Sequence, residues 1–349
     1  MVYAYTSSVS EQYDSTEQQI GLIKRYCENK GISVDKLYSD KTKPRRRLAD
    51  EKERALKLGF RPDRYLLTFP ELENMFIDIV GNASRDEKHM VLVDTRVRVY
   101  GQSEAQRIAF EQLIREYNVQ IVEVGGDTVS KEQGVCIYHY TDKCLKRPLI
   151  LIKQLDCMYK YASENELNIT GVLIDLSIYR RSKYEELKEM LKKKKFKGVL
   201  VCNAYLLSRK IAQFILVTKL AGIVYSINEG EFSVVNVEDY IDTPVNAVAL
   251  YGSNSLLFGE RMKYYCGNYT SWSLVDAMDS KEFWDKCCAR YDVEMIMVES
   301  YYDIENDVYR FIKNISQAEK TYMICNVKEG SVLKYDRKGS ILCQSINNK

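Results

Sequence analysis

A serine and an arginine that are far apart in the chain carry its clearest chemical signal. Ser7 ends the apolar run VYAYTS and is followed by more hydroxyls in SVSEQ. Arg98 lies in RVRVYG, shortly after the apolar run MVLV. A serine hydroxyl can act as a nucleophile, and a guanidinium can stabilise the negative charge of a transition state. Open α/β sheets bind ligands at the carboxyl ends of their strands, and Ser7 has that position if VYAYTS is a strand.

The elements that would position these residues recur three times. VYAYTS, IYHYTD and VALYGS each begin a unit, so that Tyr5, Tyr140 and Tyr251 align. In each unit an apolar strand is followed by a helix of 3.6-residue periodicity, a shorter strand, a second helix, a strand, a third helix and a last strand. Such alternation predicts parallel sheets that are covered by helices on both faces.

The fold class predicted from this pattern is α/β, with three tandem, doubly wound, mostly parallel-sheet domains of flavodoxin-like type. Their predicted bounds are 1–130, 131–243 and 244–349. SVLKYDRKGSILC at 331–343 predicts a C-terminal β-hairpin, with EFSVVNVEDYID after the second unit as its counterpart. The length of 349 residues agrees with several domains, because single cores stop growing at about 250–300 residues.

The composition argues against several classes of protein. With only two histidines, His89 and His139, a histidine triad or a multi-histidine metal site is not expected. The sequence contains neither GxGxxG nor GxxxxGKS, so no cofactor and no metal are predicted. The ten cysteines are scattered and predict reduced thiols. No apolar stretch approaches the roughly 20 residues of a membrane span and no signal peptide is apparent, which predicts a cytoplasmic protein without a membrane partner.

The first unit resembles the catalytic domain of serine recombinases of the resolvase and invertase type. YAYTSSVSEQYDSTEQQ is similar to that family's first strand and the start of its first helix, and LYSDK at 37–41 is similar to its second strand. The resemblance is clearest over 2–126, fainter over 135–230, and rests on internal similarity over 246–330. It implies three resolvase-like domains and a chemistry in which Ser7 attacks a DNA phosphodiester while arginines hold the transition-state charge.

The first unit departs from the family's arginine set. Tyr5 stands where an arginine is expected two residues before Ser7, and Phe69 stands where an arginine opens the second helix. Only Arg98 remains of the arginine signature after the third strand. Ser7 and Arg98 are therefore the candidate catalytic residues, interpreted as remnants of a lost site.

The second and third units keep other fragments of the set. Arg181 matches the second-helix arginine and Arg209 ends the signature, but Asp142 holds the nucleophile position. The third unit has Ser253 and lacks the arginine signature. Because no unit combines a serine with a full arginine set, the sequence predicts a protein that is not an enzyme.

A basic segment and the tyrosines suggest binding surfaces. The segment 41–64 carries ten basic and four acidic side chains, while the whole chain has a net charge of +2. Its candidate phosphate contacts are Lys43, Arg45, Arg46, Arg47, Arg61 and Arg64. Among the 27 tyrosines, pairs such as Tyr301 and Tyr302 are typical of partner surfaces or of the rim of a sheet.

These observations predict a non-catalytic regulatory or scaffold protein that binds DNA through 41–64, or that binds a protein partner or itself. Three alternatives stay open: an active serine recombinase or nuclease that uses Ser7, a nucleotide or small-molecule sensor at the sheet ends, and a structural protein with no nucleic-acid role.

Overall fold

The computed structural model describes nearly two thirds of the chain. The described residues are 1–9, 14–41, 45–46, 67–82, 88–100, 110–111, 114–125, 133–140, 148–176, 181–236, 248–251, 272–274, 282–284, 286, 295–298, 300–305, 307–317, 322–326 and 328–337. The chain divides into two compact units, Met1–Leu187 and Lys188–Cys343, and the boundary falls within a helix. From here on, the first and second units are these two compact units and not the three units of the sequence pattern. The prediction of three tandem domains stays a prediction.

The first unit alternates strands and helices, as the sequence predicts. Its strands are β1 (Val2–Ser7), β2 (Lys36–Asp40), β3 (Arg45–Arg46), β4 (Leu67–Thr68), β5 (His89–Val93), β6 (Val119–Glu123), β7 (Gly134–Tyr140) and β8 (Ile169–Asp175). Its helices are α1 (Thr16–Lys30), α2 (Pro70–Asn82), α3 (Pro148–Glu164) and α4 (Ser182–Lys192), of which α4 continues into the second unit.

A parallel sheet of order β2-β1-β5-β6 forms the centre of this unit, and β7 and β8 form a further parallel pair. β1 is buried on both faces, which agrees with its nearly continuous apolar sequence. From β1 the chain passes through α1 to β2, which pairs with one edge of β1. It then continues through α2 to β5, which pairs with the other edge of β1. The winding therefore reverses between β1 and β5, and this topological switch point is where open α/β sheets bind ligands.

The second unit has a mixed sheet. Its strands are β9 (Phe196–Val201), β10 (Ile223–Ser226), β11 (Gly230–Asn236), β12 (Val248–Tyr251), β13 (Trp272–Leu274), β14 (Met295–Val298), β15 (Tyr322–Asn326) and β16 (Ser331–Asp336). Its helices are α5 (Ile211–Ala221), α6 (Tyr301–Ile304) and α7 (Val308–Gln317). The order within the unit is β13-β12-β14-β15-β16-β11-β10-β9.

The antiparallel part of that sheet lies at its centre. β10 and β11 pair antiparallel, β15 and β16 do likewise, and β11 pairs with β16 from Glu231 opposite Asp336 to Asn236 opposite Ser331. Gly230 is required at the start of β11, because a Cβ there would lie 2.4 Å from the Asp336 carbonyl oxygen.

The predicted hairpin at 331–343 is described only in its first arm. That arm is β16, and it forms its hairpin with the preceding strand β15, whereas the residues of the second arm lie outside the described residues. The predicted counterpart at 231–242 corresponds to β11 over its described part. The two segments thus become paired neighbours in one sheet, which their sequences alone do not indicate.

Candidate functional site

The structure brings Ser7 and Arg98 together at the switch point. Ser7 is the last residue of β1, and Arg98 lies in a 3₁₀ turn, Arg96–Tyr100, that follows β5. The Arg98 Nη1 donates a hydrogen bond of 2.8 Å to the main-chain oxygen of Ser7. The pairing that the sequence suggested therefore exists, although it uses the serine's backbone.

The Arg98 guanidinium is fully buried and bound to two carboxylates. Its Nε and Nη2 each lie 3.0 Å from an oxygen of Asp94, and Nη1 lies 3.3 Å from Asp156 Oδ1. Burial on its own would lower the pKa of Arg98, but the charges of Asp94 and Asp156 outweigh it and raise the pKa above its ordinary value. Arg98 is thus a permanently charged group whose binding edges are occupied.

Helix α3 supplies the residues that close the switch point. Asp156 Oδ2 accepts hydrogen bonds from Ser8 Oγ at 3.2 Å and from the Val9 N–H at 2.9 Å, and Asp156 Oδ1 accepts one from Ser15 Oγ at 2.7 Å. One turn further along α3, the Tyr159 hydroxyl donates to Asp94 Oδ2 at 3.1 Å. The crevice where a ligand would bind in this topology is filled by side chains of α3.

Gln19 holds the other side of Ser7. Its Oε1 accepts the Ser7 N–H at 3.1 Å, and its Nε2 donates to the Ser7 oxygen at 2.9 Å and to Ser15 Oγ at 2.8 Å. Ser15 and Gln19 both belong to the STEQQ segment that carries part of the family resemblance. Ser7 has an exposed fraction of 0%, so its hydroxyl is closed to a macromolecular substrate in this conformation.

A second feature is a tyrosine–aspartate pair at the amino end of α2. The Tyr5 hydroxyl donates to Asp40 Oδ2 at 2.9 Å, and Asp40 also accepts the backbone N–H groups of Glu71 and Leu72, each at 3.1 Å. Asp40 thereby caps α2, where a negative charge is favourable. Burial raises the pKa of Tyr5 well above its ordinary value, and the neighbouring Asp40 raises it further.

The same arrangement recurs at α4. The Tyr138 hydroxyl donates to Asp175 Oδ2 at 3.0 Å, and Asp175 accepts the N–H groups of Lys183 at 3.0 Å and Tyr184 at 2.9 Å. Two consecutive parallel strands followed by a capped helix therefore carry the same three-part contact twice. The two stretches thus have the same local geometry at the end of the first strand and the start of the helix.

This recurrence corrects one detail of the sequence alignment. Tyr5 corresponds to Tyr138, not to Tyr140, because Tyr138 makes the equivalent bond and Tyr140 lies opposite Asp175 as Ser7 lies opposite Asp40. Tyr140 therefore occupies the position of Ser7. The sequence alignment was offset by two residues because a YxY pattern occurs in both β1 and β7. The sequence alone does not show which tyrosine of each pair lies two residues before the position opposite the aspartate. The side chain of Tyr251 lies outside the described residues.

The equivalence of Phe69 and Arg181, by contrast, agrees with the structure. Each immediately precedes its helix, two residues before the first N–H group that the capping aspartate accepts. Arg181 donates a hydrogen bond to the Tyr138 hydroxyl at 3.0 Å, and its guanidinium carbon lies 4.2 Å from the ring centre of Tyr184 and 5.2 Å from that of Tyr140. Arg181 is packed among aromatic rings, where a cation is favourable.

The other candidate residues are not part of the Ser7 cluster as far as the structure describes them. Arg209 belongs to the second unit and is exposed. Arg45 and Arg46 form β3, which pairs antiparallel with Leu67 and Thr68 of β4. The remaining predicted phosphate contacts lie outside the described residues: Lys43, Arg47, Arg61 and Arg64.

The sequence interpretation missed Asp94, Asp156 and Tyr159. A signal for Asp156 existed, since it is an acidic residue on a helix face whose neighbours Ile152 and Tyr159 are buried, and such a carboxylate must find a partner. The sequence could not identify Arg98 as the partner of Asp156, because the two residues are 58 positions apart in the chain.

Within the part of the chain that the structure describes, no cluster of histidine, cysteine and acidic side chains has the makings of a metal site. Five cysteines of the described segments are free thiols: Cys27, Cys136, Cys157, Cys202 and Cys325. Among the described helices, none combines the length and the apolar character that crossing a membrane requires.

Comparisons with known proteins leave the family undetermined. No protein-family model and no curated protein matches the chain. Among solved structures, a match was found to the lac repressor dimer bound to operator and the anti-inducer ONPF, with 12% sequence identity, 65% of this chain and 74% of that chain covered, and a TM-score of 0.21. A TM-score this low carries no argument about fold or ligand, so the site must be interpreted from its own geometry.

Proposed function

We propose that this chain is a non-catalytic relative of the serine recombinase catalytic domain, with a regulatory or scaffold role that depends on binding DNA or a protein partner. The observation that carries the proposal is the state of Arg98. Its exposed fraction is 0%, and its donors are directed at Asp94, Asp156 and the Ser7 oxygen. A transition state cannot be stabilised by a guanidinium that is already paired and shielded from substrate.

The buried serine supports the same conclusion. A nucleophile needs a base within hydrogen-bond reach and an approach for the reacting phosphorus atom. Ser7 and its neighbours Thr6 and Ser8 are all buried, and α3 lies over the end of β1 through Asp156. In this proposal Ser7 and Arg98 of the former site now have a structural role. Through Asp156 they connect the end of β1 and the turn after β5 to α3.

The kinship with serine recombinases is proposed on local features. Phe69 and Arg181 occupy equivalent positions before α2 and α4, so the second-helix arginine is kept in one repeat and replaced in the other. Arg98 reaches the strand that carries Ser7. Both features agree with divergence from a phosphate-handling site.

The DNA partner is proposed on charge. The segment 41–64 has ten basic against four acidic residues in a chain whose net charge is only +2. With so small a net charge, the chain as a whole attracts nucleic acid weakly. The local excess of positive charge in 41–64 therefore indicates that this segment contacts the phosphates of DNA. Arg45 and Arg46 are held in the β3–β4 pair, which gives part of the segment a defined backbone.

A strand-cleavage assay tests the absence of catalysis. The wild-type chain and Ser7→Ala are incubated with supercoiled and nicked DNA, denatured, and examined for covalent protein–DNA adducts. We expect no adduct with either protein. An adduct that forms with the wild type and disappears in Ser7→Ala would overturn the proposal.

A salt titration of duplex binding tests the DNA role. We expect Arg45→Ala/Arg46→Ala to lower the slope of log K against log salt by about 1.8, at about 0.9 per phosphate contact. The matched control is Lys193→Ala/Lys197→Ala, which removes two exposed lysines elsewhere. Equal losses in both variants would assign the binding to diffuse charge and contradict the assignment to 41–64.

A further inference from the structure

The first two turns of α7 expose one aromatic and two basic side chains. Tyr309 has an exposed fraction of 53%, and Arg310 and Lys313 are exposed as well. Phe311 and Ile312 on the opposite side are buried and fix the rotation of the helix. Tyr309 and Lys313 are four residues apart and so lie on one face, one turn above the other.

A second segment of the same unit lies beside the first turn of α7. The Val308 N–H donates to the Arg209 oxygen at 3.0 Å, and Lys210 forms an antiparallel bridge with Asp307. The ring of Tyr205 packs edge-on against Tyr309, with centroids 5.4 Å apart and an interplanar angle of 83°. The first turn of α7 and the segment 205–210 therefore form one continuous surface.

The backbone of this surface is fixed locally. Ser208 Oγ accepts the Lys210 N–H at 3.0 Å and donates to the Lys210 oxygen at 3.1 Å, which holds the loop in a closed turn. Asp307 Oδ1 accepts the Arg310 N–H at 3.0 Å and so caps α7. The side chains project from an ordered frame, which reduces the entropy lost on binding.

The exposed charge of this surface is positive. Arg209, Lys210, Arg310 and Lys313 are all exposed, and no carboxylate of a described residue forms a salt bridge with any of them. Among the described carboxylates near it, Asp307 caps α7, and Glu305 Oε1 accepts the Asp307 N–H at 3.3 Å. Glu229, whose charge acts on Tyr205, accepts the Ala204 N–H at 3.0 Å. The surface formed by these six residues is called the Tyr309 surface: Tyr205, Arg209, Lys210, Tyr309, Arg310 and Lys313.

We propose that the Tyr309 surface binds single-stranded nucleic acid. A flat ring that is half exposed offers a stacking platform for an unpaired base, and the exposed cations of the same surface can contact the flanking phosphates. The ring distinguishes this ligand from two others. In a duplex the base faces are already stacked, and an acidic peptide would use the cations without the ring. The Tyr309 surface shares no residue with the segment 41–64 and does not depend on the function proposed for it.

Fluorescence anisotropy with a labelled oligothymidylate of about twelve nucleotides tests this inference, a length within the range of such sites. We expect Tyr309→Ala to weaken binding roughly 5- to 150-fold, the usual effect of removing one stacking ring. Arg310→Ala/Lys313→Ala should lower the salt slope by about 1.4, at about 0.7 for each cation on a single strand. Both positions are exposed, and circular dichroism checks that each variant is folded.

The controls separate this site from general charge and from the other proposal. Tyr309→Phe keeps the ring and should bind as the wild type does, and Lys193→Ala/Lys197→Ala should leave the affinity within about twofold. Arg45→Ala/Arg46→Ala should leave oligothymidylate binding unchanged even if it abolishes duplex binding. The inference is overturned if the wild type does not bind oligothymidylate, or if Tyr309→Ala binds it normally. It is also overturned if Arg45→Ala/Arg46→Ala binds a duplex of equal length or a polyglutamate peptide more tightly than oligothymidylate.

Discussion

Replacing Asp156 by alanine should strongly destabilise the first unit, because this carboxylate connects α3 to the ends of β1 and β5. It is 1% exposed and receives hydrogen bonds from Arg98, Ser8, Val9 and Ser15. The four donors come from three separate parts of the chain. Loss of the acceptor therefore weakens several long-range contacts at once.

The magnitude follows from what the substitution leaves behind. Removing one member of a buried ion pair commonly costs about 3–5 kcal/mol. Arg98 keeps Asp94 as a partner, and the repulsion between Asp94 and Asp156 disappears, so the lower end of that range applies. The Val9 N–H has no rotatable alternative, and as an unpaired buried donor it accounts for about 1–3 kcal/mol of that cost. We expect a loss of about 3 kcal/mol in the free energy of unfolding.

Hydrogen–deuterium exchange combined with urea denaturation measures this change. Backbone amides in β1, the turn after β5 and α3 should exchange about 100-fold faster in Asp156→Ala, which is the factor expected for a loss of this size. Glu164→Ala on the same helix is the matched control. Glu164 forms an exposed pair with Lys160 at 3.7 Å, and its loss should cost less than about 1 kcal/mol. The reasoning is refuted if Asp156→Ala and Glu164→Ala behave alike.

Two further predictions concern buried polar groups. Tyr5→Phe removes one hydrogen bond to the buried carboxylate of Asp40 and should lower the free energy of unfolding by about 1.5–3 kcal/mol in urea titrations; no change would show that the Asp40 cap does not depend on the tyrosine. Burial lowers the pKa of His139 to about 4, so the unfolded chain binds its proton first as the pH falls below the unfolded value of about 6.5. The contribution of His139 to stability should therefore be constant above about pH 7 and fall by about 2 kcal/mol between pH 7 and pH 5, and His139→Phe should remove this part of the slope.

Local elements could be predicted well. The strand predicted at VYAYTS and the helix predicted to follow it agree with β1 and α1, since an apolar strand and a 3.6-residue pattern need no knowledge of distant partners. Gly31 ends α1 in the left-handed conformation with φ of 63°, which is a common local stop signal. The order strand, helix, strand, helix predicted from IYHYTD onward also agrees with β7, α3, β8 and α4.

Strand register and site composition could be predicted less well. The correspondence of Tyr5 with Tyr138 depends on which residue of the strand lies opposite the capping aspartate, and a repeated YxY pattern allows two answers. The role of Asp156 depends on a contact with Ser8 across 148 positions in the chain. No local pattern encodes such a pairing.

The sequence by itself determined the α/β alternation, the candidate pair Ser7 and Arg98, and the presence of Tyr5 and Phe69 where the recombinase pattern has arginines, because all three are properties of residue type and short-range periodicity. Only the tertiary structure decided what that pair does. Folding places α3 over the switch point, and a guanidinium removed from water must be paired with the nearest carboxylates. Asp94 and Asp156 supply them, and the two residues that resembled a catalytic pair become part of a buried connection between strands and a helix.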